Sequence, residues 1–158
     1  MALNRLHYSV GAAALAVSIV GGAEGLRQKA YPDPASHGNP WTICYGHTGN
    51  VKPGERDSIA ECKALLLKDL DKEANGIERC IPSAATAAFP DTRYVAVVSL
   101  AHNIGVYGVC HSSVARDLNA GNVAAACDDF LKYDRAYGMV MPGLQTRRRE
   151  ERSLCLAE

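Results

Sequence analysis

Three kinds of hydrophobic pattern follow one another along the chain. The first is a run from Leu6 to Ala23 that carries no formal charge and is broken only by the polar His7, Ser9 and Ser18. The second, Tyr31 to Gly54, is rich in Pro, Gly, Asn and Ser around one short apolar run, Trp41-Thr42-Ile43-Cys44-Tyr45. That punctuation predicts a small β-hairpin region with loops. From Asp57 onward the apolar positions recur at helical spacing. Asp57-Ser58 can cap a helix with Glu61 in its first turn, and Leu65, Leu66, Leu67, Leu70, Ala74 and Ile77 give it a stripe that ends near Cys80-Ile81-Pro82. Such a helix is long enough to join two lobes. A second starts at Asp91-Thr92, and Tyr94, Val95, Val97, Val98, Leu100 and Ala101 make it apolar nearly all round, as in a central buried helix. Gly105 and Gly108 are expected to end it. Ser112 and Ser113 open a short helix to Leu118, and Asn119-Ala120-Gly121-Asn122 closes it. Val123 to Tyr133 and Gln145 to Leu156 complete the helical series. The fold class is therefore mainly α (α+β), with a small N-terminal β-lobe and a larger helical C-terminal lobe joined by a long helix.

Composition narrows this picture. The 158 residues amount to one domain, with enough chain for a core in two lobes. Basic and acidic residues balance at 17 each, so no global field draws the protein to nucleic acid. Locally, Arg147-Arg148-Arg149 reads first as a solvated helix face with glutamates nearby. The six cysteines, Cys44, Cys62, Cys80, Cys110, Cys127 and Cys155, stand singly with no C-x-x-C, which argues against a zinc ribbon or a redox dithiol. An even count at wide spacing fits three disulfides in an oxidising compartment; six buried thiols are the alternative. Local loop closure favours Cys44–Cys62 and Cys110–Cys127, which leaves Cys80–Cys155.

The candidate chemistry is concentrated just after the apolar run. Glu24, Asp33 and Thr42 bring two carboxylates and a hydroxyl into one short stretch. Glycosidic cleavage needs such a set: an acid for the leaving oxygen, and a polar group that handles water on the other face. Glu24-Gly25-Leu26-Arg27 with Ala30-Tyr31, Asp33 and Thr42-Ile43-x-Tyr-Gly-His resembles the signature of the phage-type lysozymes, the muramidase endolysins. The resemblance continues through Asn103-Ile104-Gly105, then Ser112-Ser113 to Leu118-Asn119-Ala120-Gly121. It closes with Gly143-Leu144, Arg147-Arg148 and Glu151-Arg152, so it spans Glu24 to Cys155.

This resemblance implies a lysozyme-like fold and hydrolysis of the β-1,4 bond between N-acetylmuramic acid and N-acetylglucosamine, with no cofactor and no metal. It makes Glu24 the general acid, Asp33 the group that orients or deprotonates the attacking water, and Thr42 the group that holds it. Asp33 and Thr42 stand nine positions apart, wider than the family's usual spacing, so Pro34 to Pro40 carries an insertion. His47, Asn103 and Arg148 are candidate substrate contacts. Each also has a structural use: a hydrogen-bonding histidine, a helix-end side chain, an arginine paired with helix-end acids. His102, in the apolar helix, reads as packed or hydrogen-bonded. A lytic transglycosylase and an inactive wall-binding phage protein are the competing functions.

The apolar run now takes on meaning. Preceded by the single charge of Arg5, Leu6 to Ala23 would measure about 27 Å as a helix, just short of a hydrocarbon core of about 30 Å. Its Ala, Gly, Ser and Val content makes insertion weak. It fits a cleaved signal peptide ending at Gly21-Gly22-Ala23, a buried core helix, or an uncleaved export segment that enters the inner membrane and can leave it. Cleavage would strip away the helix that presents Glu24. Marginal length and weak hydrophobicity favour the third reading. Residues 1–23 are then an arrest-and-release segment that becomes the first helix, and 24–158 the catalytic domain of an exported, periplasmic monomer.

Overall fold

The computed structural model describes residues 3–33 and 37–158. Its elements run α1 (Arg5–Tyr8), α2 (Val10–Glu24), β1 (Arg27–Pro32), β2 (Trp41–Cys44), α3 (Ile59–Cys80), α4 (Asp91–Ile104), α5 (Val106–Cys110), α6 (Ser113–Asn119), α7 (Val123–Asp129), β3 (Arg135–Ala136), β4 (Met139–Val140) and α8 (Pro142–Leu156). The architecture is mainly helical, with a β-hairpin near the N-terminus and the long α3 leading from it to the helical lobe.

The capping signal at α3 is realised in full. Ser58 Oγ accepts from the Glu61 amide at 3.2 Å, and the Ser58 amide donates back to the Glu61 carboxylate at 2.7 Å. Those bonds hold the Glu61 carboxyl below its ordinary range. Cys62, Leu66, Leu70, Ala74 and Ile77 form the buried face of α3. Helix α4 is the centre of the core, and every residue from Tyr94 to Ala101 is buried. It ends at Gly105, whose φ of +85° continues no helix. Gly108, expected to help end it, lies instead inside α5.

The apolar run does not form one helix. Ser9 leaves α1 with an extended backbone and caps α2, accepting from the Ala12 amide at 3.1 Å and donating to Asp91 Oδ2 at 2.6 Å. Helix α2 buries Ala12, Ala16, Val20 and Gly21, spaced so that small side chains meet α3 and α4 along one stripe. No described helix is long and apolar enough to cross a membrane. Asn4, Arg5 and His7 anchor the described segment before Ser9 in the helical lobe. The Arg5 guanidinium donates to the Thr86 and Phe89 carbonyls, pairs with Asp91 at 3.1 Å and lies over the Tyr94 ring. The Arg5 amide and the Tyr94 hydroxyl both donate to Glu78 Oε1, at 3.1 and 2.8 Å.

All six cysteines are paired, as Cys44–Cys62, Cys80–Cys110 and Cys127–Cys155. The first pair is the expected one. Cys110–Cys127 and Cys80–Cys155 are not formed, because helix packing rather than loop length chooses the partners. Cys80 ends α3 and Cys110 ends α5, which pack together, and Cys127 on α7 faces Cys155 on the adjacent α8. Two further differences are small. Helix α8 begins three residues early, on Pro142, which suits a first-turn position. The two-residue strands β3 and β4 form a hairpin where the sequence pattern gives no strand signal.

Candidate active site

Glu24 is the last residue of α2, released from the helix by Gly25, whose φ is +75°. Its side chain is one quarter exposed. Oε1 lies 2.5 Å from Arg147 Nη1 and 4.0 Å from His102 Nε2. On the other side, a Cβ built on Gly46 would sit 3.8 Å from Oε2, so the turn after β2 faces the carboxylate. Three separate parts of the chain therefore converge on Glu24: α4, α8 and the turn after β2.

The hairpin carries both Asp33 and Thr42, with Asp33 two residues beyond the partner of Thr42. Strands β1 and β2 pair antiparallel with Tyr31 opposite Thr42 and Pro32 opposite Trp41. Asp33 follows Pro32 directly. Its amide donates to the Pro40 carbonyl at 3.3 Å and its carbonyl accepts from the Gly38 amide at 2.8 Å, which fixes the chain on both sides of the loop. The insertion expected over Pro34 to Pro40 falls in part on residues 34–36, outside the described residues. Thr42 is 5% exposed, and its Oγ1 is buried with no hydrogen-bond partner among the described residues. A buried hydroxyl in that state is suited to holding a water molecule.

The expected substrate contacts divide. Asn103 is exposed and lines a cleft of about 830 Å³ together with Ala23, Met141 and Arg147. His47 is engaged at both ring nitrogens, Nδ1 with Asp69 at 2.7 Å and Nε2 with the Gly49 carbonyl at 3.1 Å. It bolts the hairpin to α3. Arg148 has no exposure at all. Its Nη1 donates to Asn103 Oδ1 at 2.8 Å and its Nη2 to Glu151 Oε1 at 2.8 Å. It thus holds Asn103 from behind and has no path to a ligand in the cleft.

Two residues that the sequence left in structural roles stand at the site. Arg147 bridges Glu24, Glu151 and the Ser99 carbonyl. The signal for it was Glu151, four residues on, which puts a carboxylate on the same helical face. His102 is the other. Its Nδ1 meets both carboxylate oxygens of Glu73, at 3.0 and 3.1 Å. Burial pulls the imidazole toward its neutral form, but the Glu73 hydrogen bond and the charges of Glu73 and Glu24 outweigh that and raise its pKa. Behind the site, burial pushes Glu151 up and Arg148 down, each toward neutrality, and their mutual contact opposes the push.

Comparison with known proteins places the chain in a family. The Phage lysozyme family model matches residues 21–151. A SAR-endolysin of Bacteriophage PS119 is 39% identical over 136 residues, 85% of this chain and 77% of that protein. A SAR-endolysin of Enterobacteria phage P21 is 35% identical over 154 residues, covering 94% of this chain and 91% of its own. Among solved structures, the muramidase domain of SpmX from Asticaccaulis excentricus superposes with a TM-score of 0.80 at 29% identity, over 91% of this chain and 96% of that one. The chain belongs to the phage lysozyme family, and is a glycoside hydrolase that degrades peptidoglycan.

Proposed function

We propose that the protein is a phage endolysin that cleaves the β-1,4 bond between N-acetylmuramic acid and N-acetylglucosamine, with Glu24 as general acid. The observation that carries this reading is the seat of Glu24: a carboxyl group at a helix end, its side chain one quarter exposed, with Oε1 on Arg147 and Oε2 facing the turn at Gly46. Asp33 orients or deprotonates the attacking water, and the buried hydroxyl of Thr42 holds it. Asn103 contacts the glycan in the cleft, and Arg148 fixes Asn103 in place. A water activated on the face opposite the acid gives inversion at the anomeric carbon.

Turbidity clearing of permeabilised Gram-negative cells tests the assignment. Glu24→Gln keeps the side chain's shape and removes the transferable proton, so activity is expected to fall about 100-fold or more. Near-wild-type clearing by Glu24→Gln overturns it. Muropeptides with ordinary reducing ends are the expected products; anhydro sugars would assign a lytic transglycosylase instead.

The N-terminal segment supports a further part of the reading. Residues 1–23 export the enzyme to the periplasm without cleavage and hold it for a time at the inner membrane, and release lets Leu6 to Ala23 dock as α1 and α2. The support is that Glu24 closes α2, so the domain has no seat for its acid until the segment packs. Two relatives named SAR-endolysins are consistent with this. Membrane fractionation before lysis is expected to find the full-length chain in the membrane pellet; a chain found only in the soluble fraction contradicts tethering.

A further inference from the structure

His102 belongs to none of the roles assigned above, yet its Nε2 stands 4.0 Å from Glu24 Oε1, beside the Arg147 contact at 2.5 Å. It is mostly buried, with 12% of its side chain exposed. Its orientation is fixed from behind: Glu73 engages Nδ1 through both carboxylate oxygens, which turns Nε2 toward Glu24. The charged groups facing the ring come from each helix packed on this end of α4. They are Glu24 from α2, Glu73 from α3 and Arg147 from α8, while α5 (Val106-Tyr107-Gly108-Val109-Cys110) adds no charge at neutral pH. Two carboxylates against one guanidinium favour an imidazolium at this position.

We propose that His102 is a positioning residue for the reaction: held by Glu73, it faces Glu24 Oε1 beside Arg147, and its charge sets the alkaline limit of activity. This rests on the reading of Glu24 as the general acid. The sign follows from simple electrostatics. The His102 charge stands 4.0 Å from the carboxylate that must deliver the proton and attracts its negative form, so removing that charge is expected to extend activity to higher pH. The Glu73 and Glu24 carboxylates raise the pKa of His102, which favours its charged form, and the charge is lost as pH rises through the raised value.

The test has two arms. In the first, the alkaline limb of kcat/KM is measured for wild type and His102→Gln, an uncharged variant that retains a hydrogen-bonding side chain toward Glu73. The limb is expected to move up by ~0.7 pH unit or more, the interaction of unit charges about 4 Å apart in a water-like dielectric. Glu73→Gln weakens the imidazolium and moves the limb the same way, and the double variant moves it no further. A variant that only loosened the fold would lower activity at every pH and leave the limb where it was.

In the second arm, the His102 imidazole is titrated by NMR in wild type and in Glu24→Gln, its resonance identified by its loss in His102→Gln. Its midpoint is expected to fall in Glu24→Gln by an amount equal to the limb shift, because the coupling is reciprocal. A limb that stays put in folded His102→Gln, together with a midpoint indifferent to Glu24→Gln, overturns the proposal. A midpoint that moves while the limb does not also overturns it, but traces the failure to the assignment of Glu24 as the acid. Should His102→Gln fold poorly, Glu73→Gln and the titration decide the matter between them.

Discussion

Arg147, Arg148 and Arg149 are consecutive, and the helix turns them about 100° apart from one to the next. Arg147 ends up on Glu24, Arg148 is fully buried, and Arg149 faces solvent. From sequence alone the trio reads as a solvated patch, since nothing local says how deep the face sinks. Glu151 reveals it only once the face is known to be internal: it accepts from Ser99 Oγ at 2.6 Å and pairs with both Arg147 and Arg148. Glu151→Gln would leave the Arg148 guanidinium buried beside an uncharged partner. Removing one member of a buried pair costs about 3–5 kcal/mol, so chemical denaturation should register a loss of that order. The exposed pair Arg152–Asp128 serves as the control, and Arg152→Gln is expected to cost under ~1 kcal/mol. Equal costs would mean that burial does not decide the strength of these pairs. Glu24, Asp33 and Thr42 are proposed, by contrast, from a local signature that carries their order. His102 was not: a histidine in an apolar helix has no sequence mark that separates a core residue from one facing a carboxylate across three helices.

Element boundaries were legible wherever a cap or stripe announced them. Ser58 with Glu61 marks the start of α3, and the apolar run of α4 marks the core. What the sequence withholds is which helices touch. The disulfides make the point: Cys110 and Cys127 are closer in sequence, yet Cys110 bonds Cys80 because α5 lies on α3. Gly76 is the other trace of that contact. A Cβ there would stand 2.6 Å from Val106 Cγ1 and 3.1 Å from Cγ2, too close for both to remain where they are. Val106 opens α5, a five-residue helix tied at its other end by the Cys80–Cys110 bond, so it has little room to retreat. In an open helix Gly→Ala would stabilise by about 1 kcal/mol. Here overpacking of about 1–3 kcal/mol works against that gain, and Gly76→Ala is expected to lower the thermal midpoint. Adding Val106→Ala should restore part of it. A Gly76→Ala midpoint above wild type would mean that α5 moves more freely than its tether suggests. The hairpin β3–β4 was invisible for a different reason: two residues per strand are too few for alternation to register.

Across the whole molecule, the sequence presents the first 23 residues as something attached to the domain, and the structure makes most of them part of it. The run is divided at Ser9, its small residues line one stripe against α3 and α4, and its last turn supplies Glu24. Sequence pattern sees apolar content but not the division, because Ser9 is as compatible with a continuous helix as with a cap until Asp91 is opposite it. The Arg5 pocket then acquires a mechanical meaning. In the proposed tether, a lone guanidinium outside a weak apolar run is a slight barrier to pulling that run free. In the folded enzyme the same group sits among the Thr86 and Phe89 carbonyls, with Asp91 beside it and the Tyr94 ring beneath. Withdrawing it would leave the buried Phe89 carbonyl unmatched, a cost of about 1–3 kcal/mol, while Thr86 and Asp91 turn to water. On the proposed release, Arg5 then acts as a latch: once seated, it helps to hold the docked segment on the enzyme and off the bilayer.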